Sequence, residues 1–317
     1  MKKKCIVMLS GGLDSLLAVK IMQEQGFDIT ALFFQLPFAG CCDVKLSTNF
    51  AQLQKIKLEV FDCTKGKLLK EYLEIIKKAK HGTGAGVNPC IDCRIFMFKK
   101  AKEFADKEGY EVIVTGEVLG ERPMSQMKKS MDIVEKESGL KDSLLRPLSA
   151  KLLPETNAEK SGLIDREKLY DIQGRKRDKQ IALAKKFKIS YPQPAGGCAL
   201  CEKQLKNRFK TLFKRGLNED EMNIVCVGRH FIIDKCWVVI GRDEKENKII
   251  EKMGKKFDLI EPDYPAPSAV ILDKCEKEPK GVSSEENKTR EKVNELMEAY
   301  SKKGSLEARN KFDKYKL

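Results

Sequence analysis

Residues 10–15 read Ser-Gly-Gly-Leu-Asp-Ser, between a short apolar run and a stretch with helical spacing. Residues 4–9 predict a buried strand. Residues 16–25 predict a helix, with Gly26 where a helix stop belongs. A strand that turns through two glycines into a helix is the building unit of an α/β sheet, whose ligand site lies at the carboxyl edge of the strands. Gly11 and Gly12 let the backbone approach a phosphate closely. The amides of the helix start point at it, and the hydroxyls of Ser10 and Ser15 add neutral donors. The Asp14 carboxylate would repel phosphate directly, which leaves it Mg²⁺ coordination or a helix-capping role. The stretch lacks the lysine of Gly-x-x-x-x-Gly-Lys-Ser/Thr and the spacing of Gly-x-Gly-x-x-Gly, so it is neither of those loops.

The pattern continues. Residues 29–35, 58–61 and 111–116 predict strands; residues 67–80 and 95–108 predict helices, the latter with Phe96, Phe98, Ala101 and Phe104 on its apolar face. Strands alternating with helices imply a doubly wound parallel sheet, expected over 1–190. After a linker-like stretch from Tyr191, residues 224–227, 231–234 and 237–241 predict short strands of a smaller α+β domain over 191–273. Residues 274–317 are mostly charged and read as an exposed helix or a partly disordered tail. No run approaches the roughly 18–20 apolar residues of a membrane span. The basic start is followed by too short an apolar run for a signal peptide, so a cytoplasmic protein without membrane contact is expected.

Eleven cysteines, an odd number in a chain read as cytoplasmic, favour metal or catalytic thiols over a disulfide framework. Only two histidines, His81 and His230, argue against His-rich zinc hydrolysis. Cys90 and Cys93 sit two apart at the expected start of a helix, where the dipole favours thiolate. Cys198 and Cys201 repeat the spacing a domain length away. Such thiols fit a structural zinc site, three ligands of a [4Fe–4S] cluster with one iron open, or cluster-free persulfide chemistry. Cys5, Cys226 and Cys236 read as buried apolar residues. Cys41 and Cys42 follow the second strand, near the expected site; Cys63 and Cys275 carry no motif. A net charge of 61 − 47 = +14 favours a polyanionic partner, nucleic acid before membrane, although a generally lysine-rich chain would give the same balance.

In its strand–turn–helix context, Ser-Gly-Gly-Leu-Asp-Ser resembles the pyrophosphate (PP) loop of the N-type ATP pyrophosphatases, which split ATP between the α- and β-phosphates and pass AMP to a substrate oxygen. With Asn-Pro-Cys-Ile-Asp-Cys at 88–93, the chain resembles the tRNA 2-thiouridylases. Residues 115–120, Ser125-Gln126 and Leu145-Arg146-Pro147-Leu148 are similar to the tRNA 4-thiouridine synthetases. The resemblance implies an adenine nucleotide alpha hydrolase-like fold and ATP-dependent replacement of a tRNA uridine oxygen by sulfur. ATP would lie over Ser10, Gly11, Gly12, Asp14 and Ser15, reached by Gly116 and Gln126, with Mg²⁺. Cys90, Cys93 and Cys198 match the three ligands of cluster-dependent thiolation enzymes, with Cys201 a fourth ligand or a neighbour. In the cluster-free 2-thiouridylases the catalytic pair would be Cys93 and Cys198. Asp14, Cys93 and Cys198 are thus the catalytic candidates. The sulfur donor would be sulfide or a persulfide derived from a cysteine desulfurase.

Arg146 suits either a bidentate phosphate contact or an ion pair holding a loop. Glu117, Arg122, Ser125 and Gln126 should project at the carboxyl edge. Arg175, in the basic stretch 174–177, is a candidate RNA contact. Residues 227–231 and 239–247 resemble a module of the NFACT-type ribosome quality-control proteins. This adds Arg229, His230 and Arg242 as candidate RNA contacts, unless the arginines brace a β-turn. Two other readings stay open: a PP-loop ligase or sulfurtransferase acting on a small molecule, and a non-catalytic RNA-binding protein with structural zinc.

Overall fold

The structure, a computed structural model, describes residues 3–39, 44–192, 197–216, 219–254, 256–273 and 284–317, without the side chains of 219, 220 and 284–287. The chain divides into two compact units, Met1–Glu202 and Lys203–Leu317. The division falls after Glu202, so Cys198 and Cys201 belong to the first unit and not to the smaller domain that the linker-like stretch suggests.

The first unit runs β1 (Lys4–Met8), α1 (Leu13–Glu24), β2 (Asp28–Gln35), α2 (Val44–Leu53), β3 (Lys57–Asp62), α3 (Gly66–Lys77), α4 (Cys90–Glu108), β4 (Ile113–Thr115), α5 (Lys128–Ser138), β5 (Leu144–Leu145), α6 (Asn157–Lys160) and α7 (Asp178–Lys186). Its five strands are parallel, in the order β3-β2-β1-β4-β5. This is the doubly wound α/β sheet expected from the alternation. Central strand β1 reads Cys-Ile-Val because both its faces are covered, and Cys5, Ile6 and Val7 are fully buried. Its register against β4 pairs Met8 with Thr115, so the loops leaving β1 and β4 emerge side by side. The strand order reverses between these two strands, where open α/β sheets bind their ligands. Helix α4 starts at Cys90, ahead of its apolar pattern, and ends on Gly109 at φ 72°, a left-handed stop suited to glycine.

The second unit runs α8 (Lys206–Arg215), α9 (Glu219–Ile224), β6 (Arg229–Ile233), β7 (Cys236–Ile240), α10 (Glu244–Met253), β8 (Asp258–Ile260), β9 (Ala269–Ile271), α11 (Ser284–Ala299) and α12 (Leu306–Asn310). Its four strands are antiparallel, in the order β6-β7-β9-β8. Asp234 and Lys235 join β6 to β7 with both φ values positive, the geometry of a tight two-residue hairpin turn. Residues 224–227 are not the strand their apolar run predicts. Ile224 ends α9, and the Val227 amide donates to its carbonyl at 2.8 Å. Four apolar residues do not separate a buried helix end from a strand. Within the stretch read as a charged tail, α11 buries Val293, Leu296 and Met297 against Phe231, Ile233, Val238 and Ile240. Its apolar stripe has helical spacing but is sparse among charges. Among the described residues no helix is long and apolar enough to cross a membrane.

Candidate functional site

Two glycines and two serines shape the loop between β1 and α1. Gly11 turns the chain at φ +80°, and extended Gly12 stands at the start of α1 with no side chain capping the helix. The Ser15 hydroxyl donates to the Gly12 carbonyl at 2.8 Å and accepts from the Ser10 amide at 3.2 Å. The Gly12 amide donates to Ser10 Oγ at 3.4 Å. Ser15 therefore ties the loop to itself, and the helix-start amides face outward for an anion. The loop also leans on the end of β4. A Cβ on Gly116 would stand 2.5 Å from the backbone carbonyl of Asp14, so this close approach requires glycine.

The loop opens on a cavity of about 360 Å³. Ser10, Gly12, Asp14 and Ser15 line it, together with Gly116 and Gln126 from beyond β4 and the three cysteines Cys90, Cys93 and Cys198. Gly11 shapes the turn without lining the cavity. The sequence reading missed Tyr72, Arg94, Glu121 and Arg177 in this wall; their signal is spatial, from separate elements.

Cys90 and Cys93 occupy the first turn of α4, after Pro89. The Asn88 side-chain Nδ2 donates to Cys90 Sγ at 3.1 Å, and Cys93 Sγ lies 3.6 Å from the Tyr72 hydroxyl. Burial first, and then Cys93 and Cys198, push the Tyr72 phenol well above its ordinary range. Main-chain bonds seat Cys198. It bridges Ala39, the Ala199 amide donates to Phe38 at 2.8 Å, and the Val87 amide donates to Leu200 at 2.8 Å. A Cβ on Gly86 would come within 2.2 Å of the Leu200 carbonyl. Cys201 is exposed. Cys63, which carries no motif, is buried, and its thiol is pushed up to about 12 by burial and by nearby Cys93. Cys41 and Cys42 lie outside the described residues.

Among the described residues no three His, Cys, Asp or Glu side chains are gathered around one point as ligands of a single metal ion. Zinc needs that convergence, with each sulfur about 2.3 Å from one ion. A [4Fe–4S] cluster takes each thiolate on a different iron, and three soft thiols spaced along one cavity wall fit that demand.

Asp14 is pushed up to about 6, by burial and then by Glu121, against the pull of Arg177 and Arg122. Its Oδ1 and Glu121 Oε2 are buried without a hydrogen-bond partner. Arg146 is 2% exposed; it donates to Glu117 at 2.9 Å and also pairs with Glu135, while Arg94 reaches Glu117 at 2.7 Å. Arg146 thus braces the loop after β4. His81 stands 3.0 Å from Glu137, away from the cavity wall.

The RNA candidates are scattered. Arg175 is exposed in the first unit. In the second, Arg229 donates to the Gly241 carbonyl at 3.1 Å with its guanidinium 4.9 Å from the centre of the Tyr300 ring. Arg242 pairs with Glu246 at 2.9 Å. Both arginines thus support the turn they flank. His230 cannot reach RNA from where it sits. It is fully buried, accepts the Trp237 indole N–H on Nδ1 at 2.9 Å and donates from Nε2 to the Val227 carbonyl at 2.7 Å.

Comparison with known proteins gives the same direction for the first unit. Residues 1–151 match the family model of ThiI, thiamine biosynthesis protein. The tRNA-specific 2-thiouridylase MnmA of Acidithiobacillus ferrooxidans is 30% identical over 119 residues, 36% of this chain and 33% of that protein. The corresponding enzyme of Nitratiruptor sp. is 28% identical over 120 residues, 37% of this chain and 35% of that protein. The chain thus spans about a third of the length of these curated relatives. Among solved structures, a 4-thiouridine synthetase–RNA complex with bound ATP is 16% identical, covering 70% of this chain and 52% of that one at a TM-score of 0.38. The U34-tRNA thiolase NcsA from Methanococcus maripaludis with its [4Fe–4S] cluster is 16% identical, covering 70% and 69% at a TM-score of 0.35. By sequence, residues 1–151 are therefore similar to the ThiI family model, and about a third of the chain is similar to part of the tRNA-specific 2-thiouridylases.

Proposed function

We propose that this chain is an ATP-dependent tRNA sulfurtransferase, adenylating a uridine carbonyl oxygen with release of pyrophosphate and then replacing that oxygen with sulfur. One observation carries the reading: the anion-accepting loop of residues 10–15 and the three thiols of Cys90, Cys93 and Cys198 line the same cavity. An enzyme that activates an oxygen and then exchanges it for sulfur needs both functions within reach of one base. The tRNA-specific 2-thiouridylases to which the chain is similar supply the substrate class, a tRNA uridine.

In this reading the amides at the start of α1 and the Ser10 hydroxyl hold the leaving pyrophosphate, where fixed dipoles stabilise charge that develops during transfer. Mg²⁺ would be held by Asp14, whose buried, partnerless Oδ1 suits a cation. Gly116 keeps the far wall close to Asp14, and Gln126 offers a neutral amide to the nucleotide. When bound, a [4Fe–4S] cluster on Cys90, Cys93 and Cys198 supplies an iron on which sulfide can be presented. In the cluster-free form of the reaction, one of Cys93 and Cys198 takes sulfane sulfur from a persulfide donor, and the other displaces it onto the activated carbon as the Cys93–Cys198 disulfide forms and AMP leaves. The second unit presents tRNA, with Arg229 and Arg242 as its phosphate contacts and Arg175 as one on the first unit, in the cytoplasm.

The test is anaerobic purification with iron, sulfide and zinc quantified, then incubation with ATP, Mg²⁺, sulfide and tRNA. About four iron and four sulfide per chain, with AMP, pyrophosphate and thiolated uridine formed together, is the expected result. Turnover without metal when a persulfide donor replaces sulfide moves the sulfur to Cys93 and Cys198. Zinc with no ATP-to-AMP turnover on any tRNA overturns the proposal, as does turnover confined to a small molecule.

A further inference from the structure

We propose that Asp14 and Glu121 form the protein's half of a divalent-cation site, and that Arg177 occupies this half-site until metal and nucleotide arrive. The inference rests on the nucleotide reading of the same cavity and adds two residues that the loop motif does not contain. Asp14 opens α1 behind the glycine turn. Glu121 lies in the loop after β4, the strand paired with β1, so the strand order brings the two carboxylates together.

Arg177 comes from just before α7. Its Nε donates to Glu121 Oε1 at 3.0 Å, its Nη2 also contacts that oxygen, and Nη2 stands 3.9 Å from Asp14 Oδ2. One guanidinium therefore bonds Glu121 and faces Asp14, whose carboxylate also has the Gln180 side chain beside it. Glu121 is 7% exposed, and its Oε2, like Asp14 Oδ1, is buried without a partner. A purely structural ion pair would satisfy its buried oxygens, because leaving them bare is costly.

Mg²⁺ prefers one or two carboxylates plus substrate phosphates and waters over a cage made of protein alone. Two carboxylates beside an anion-accepting loop match that habit, as does the lack of a complete three-ligand group among the described residues. The exchange also conserves charge. A divalent cation on the carboxylates removes the need for Arg177 there, and the released guanidinium pairs with the phosphates that arrive with the metal.

The test uses the full chain, Mn²⁺ as a spin probe, and α,β-methylene-ATP, which cannot be cleaved at the relevant bond. Wild type should bind Mn²⁺ weakly alone and at least about tenfold more tightly with the analogue; Glu121→Gln should lose that gain. Arg177→Gln should bind Mn²⁺ more tightly than wild type without nucleotide, yet bind the analogue more weakly. Arg177→Lys, which keeps the charge, should show no gain in cation affinity, and thermal melts confirm that each variant is folded. Unchanged Mn²⁺ binding in Glu121→Gln, or parallel loss of cation and analogue in Arg177→Gln, overturns the proposal. If wild type binds no analogue, the nucleotide reading falls, and the nucleotide-free Arg177→Gln titration still decides whether the carboxylate pair takes a cation.

Discussion

His230 shows how a polar residue that looks available can belong to the core. Burial, and after it the charge of Arg208, pushes its imidazole down to about 3, against an ordinary value of 6.5. Between those values the unfolded chain binds a proton that the folded chain refuses, so stability rises with pH across this window and falls on acidification. From pH 7.5 to 5.5 the loss should be about 1.4 kcal/mol. Trp237, the single tryptophan, donates to His230, so urea unfolding followed by its fluorescence measures this directly. His230→Gln should be less stable but should lack that part of the pH slope. At the other site, Asp14→Asn should abolish AMP formation. Cys93→Ala should leave ATP binding intact in calorimetry while thiouridine disappears from the tRNA digest. Retained thiolation in Cys93→Ala would sink its assigned role. The residues 10–15 were legible because their chemistry is local, with strand, turn and helix in one short stretch. Glu121 and Arg177 were not, because they stand 56 residues apart and meet only through the sheet.

The segments that seat the thiols matter as much as the thiols. Cys198 is positioned by a main-chain bridge and by the bond from Val87 to Leu200, across a contact that admits no side chain at Gly86. Gly86→Ala should push the 198–201 segment away, so that the protein retains less iron after anaerobic reconstitution while its ATP affinity stays unchanged. Equal iron content in the two proteins would show that the contact yields. Strands β1, β2 and β4 could be read from the sequence because parallel strands covered on both faces are dense in apolar residues, whereas the edge strand β3 showed only through Leu58, Val60 and Phe61. Helix α5 could not, since its buried positions reduce to Met131, Val134 and Ser138 among charges. The burial of helix α11, read as exposed if helical, hid for the same reason. That Cys198 joins Cys90 and Cys93 came from resemblance; two distant Cys-x-x-Cys pairs do not by spacing alone say which thiols share a wall.

The two units answer to different controls. Protonation of His230 weakens the second, whereas the first carries both halves of the proposed chemistry within Met1–Glu202. The positions of its cysteines have a consequence for the polymer. Cys93 lies in the first turn of α4, and Cys198 lies almost at the end of this unit, so any group joining them closes a loop of about 105 residues. Closing a loop of that length removes roughly 4–5 kcal/mol of disorder from the denatured chain. An inorganic cluster or a Cys93–Cys198 disulfide would then act as a clasp on the folded state of this unit. Hydrogen exchange should find the first unit opening more readily in clasp-free protein, with the second unit unaffected. Trp237 fluorescence would stay native throughout. A copy stripped of its clasp would thus become protease-sensitive through its catalytic half while its one tryptophan still reported an intact fold.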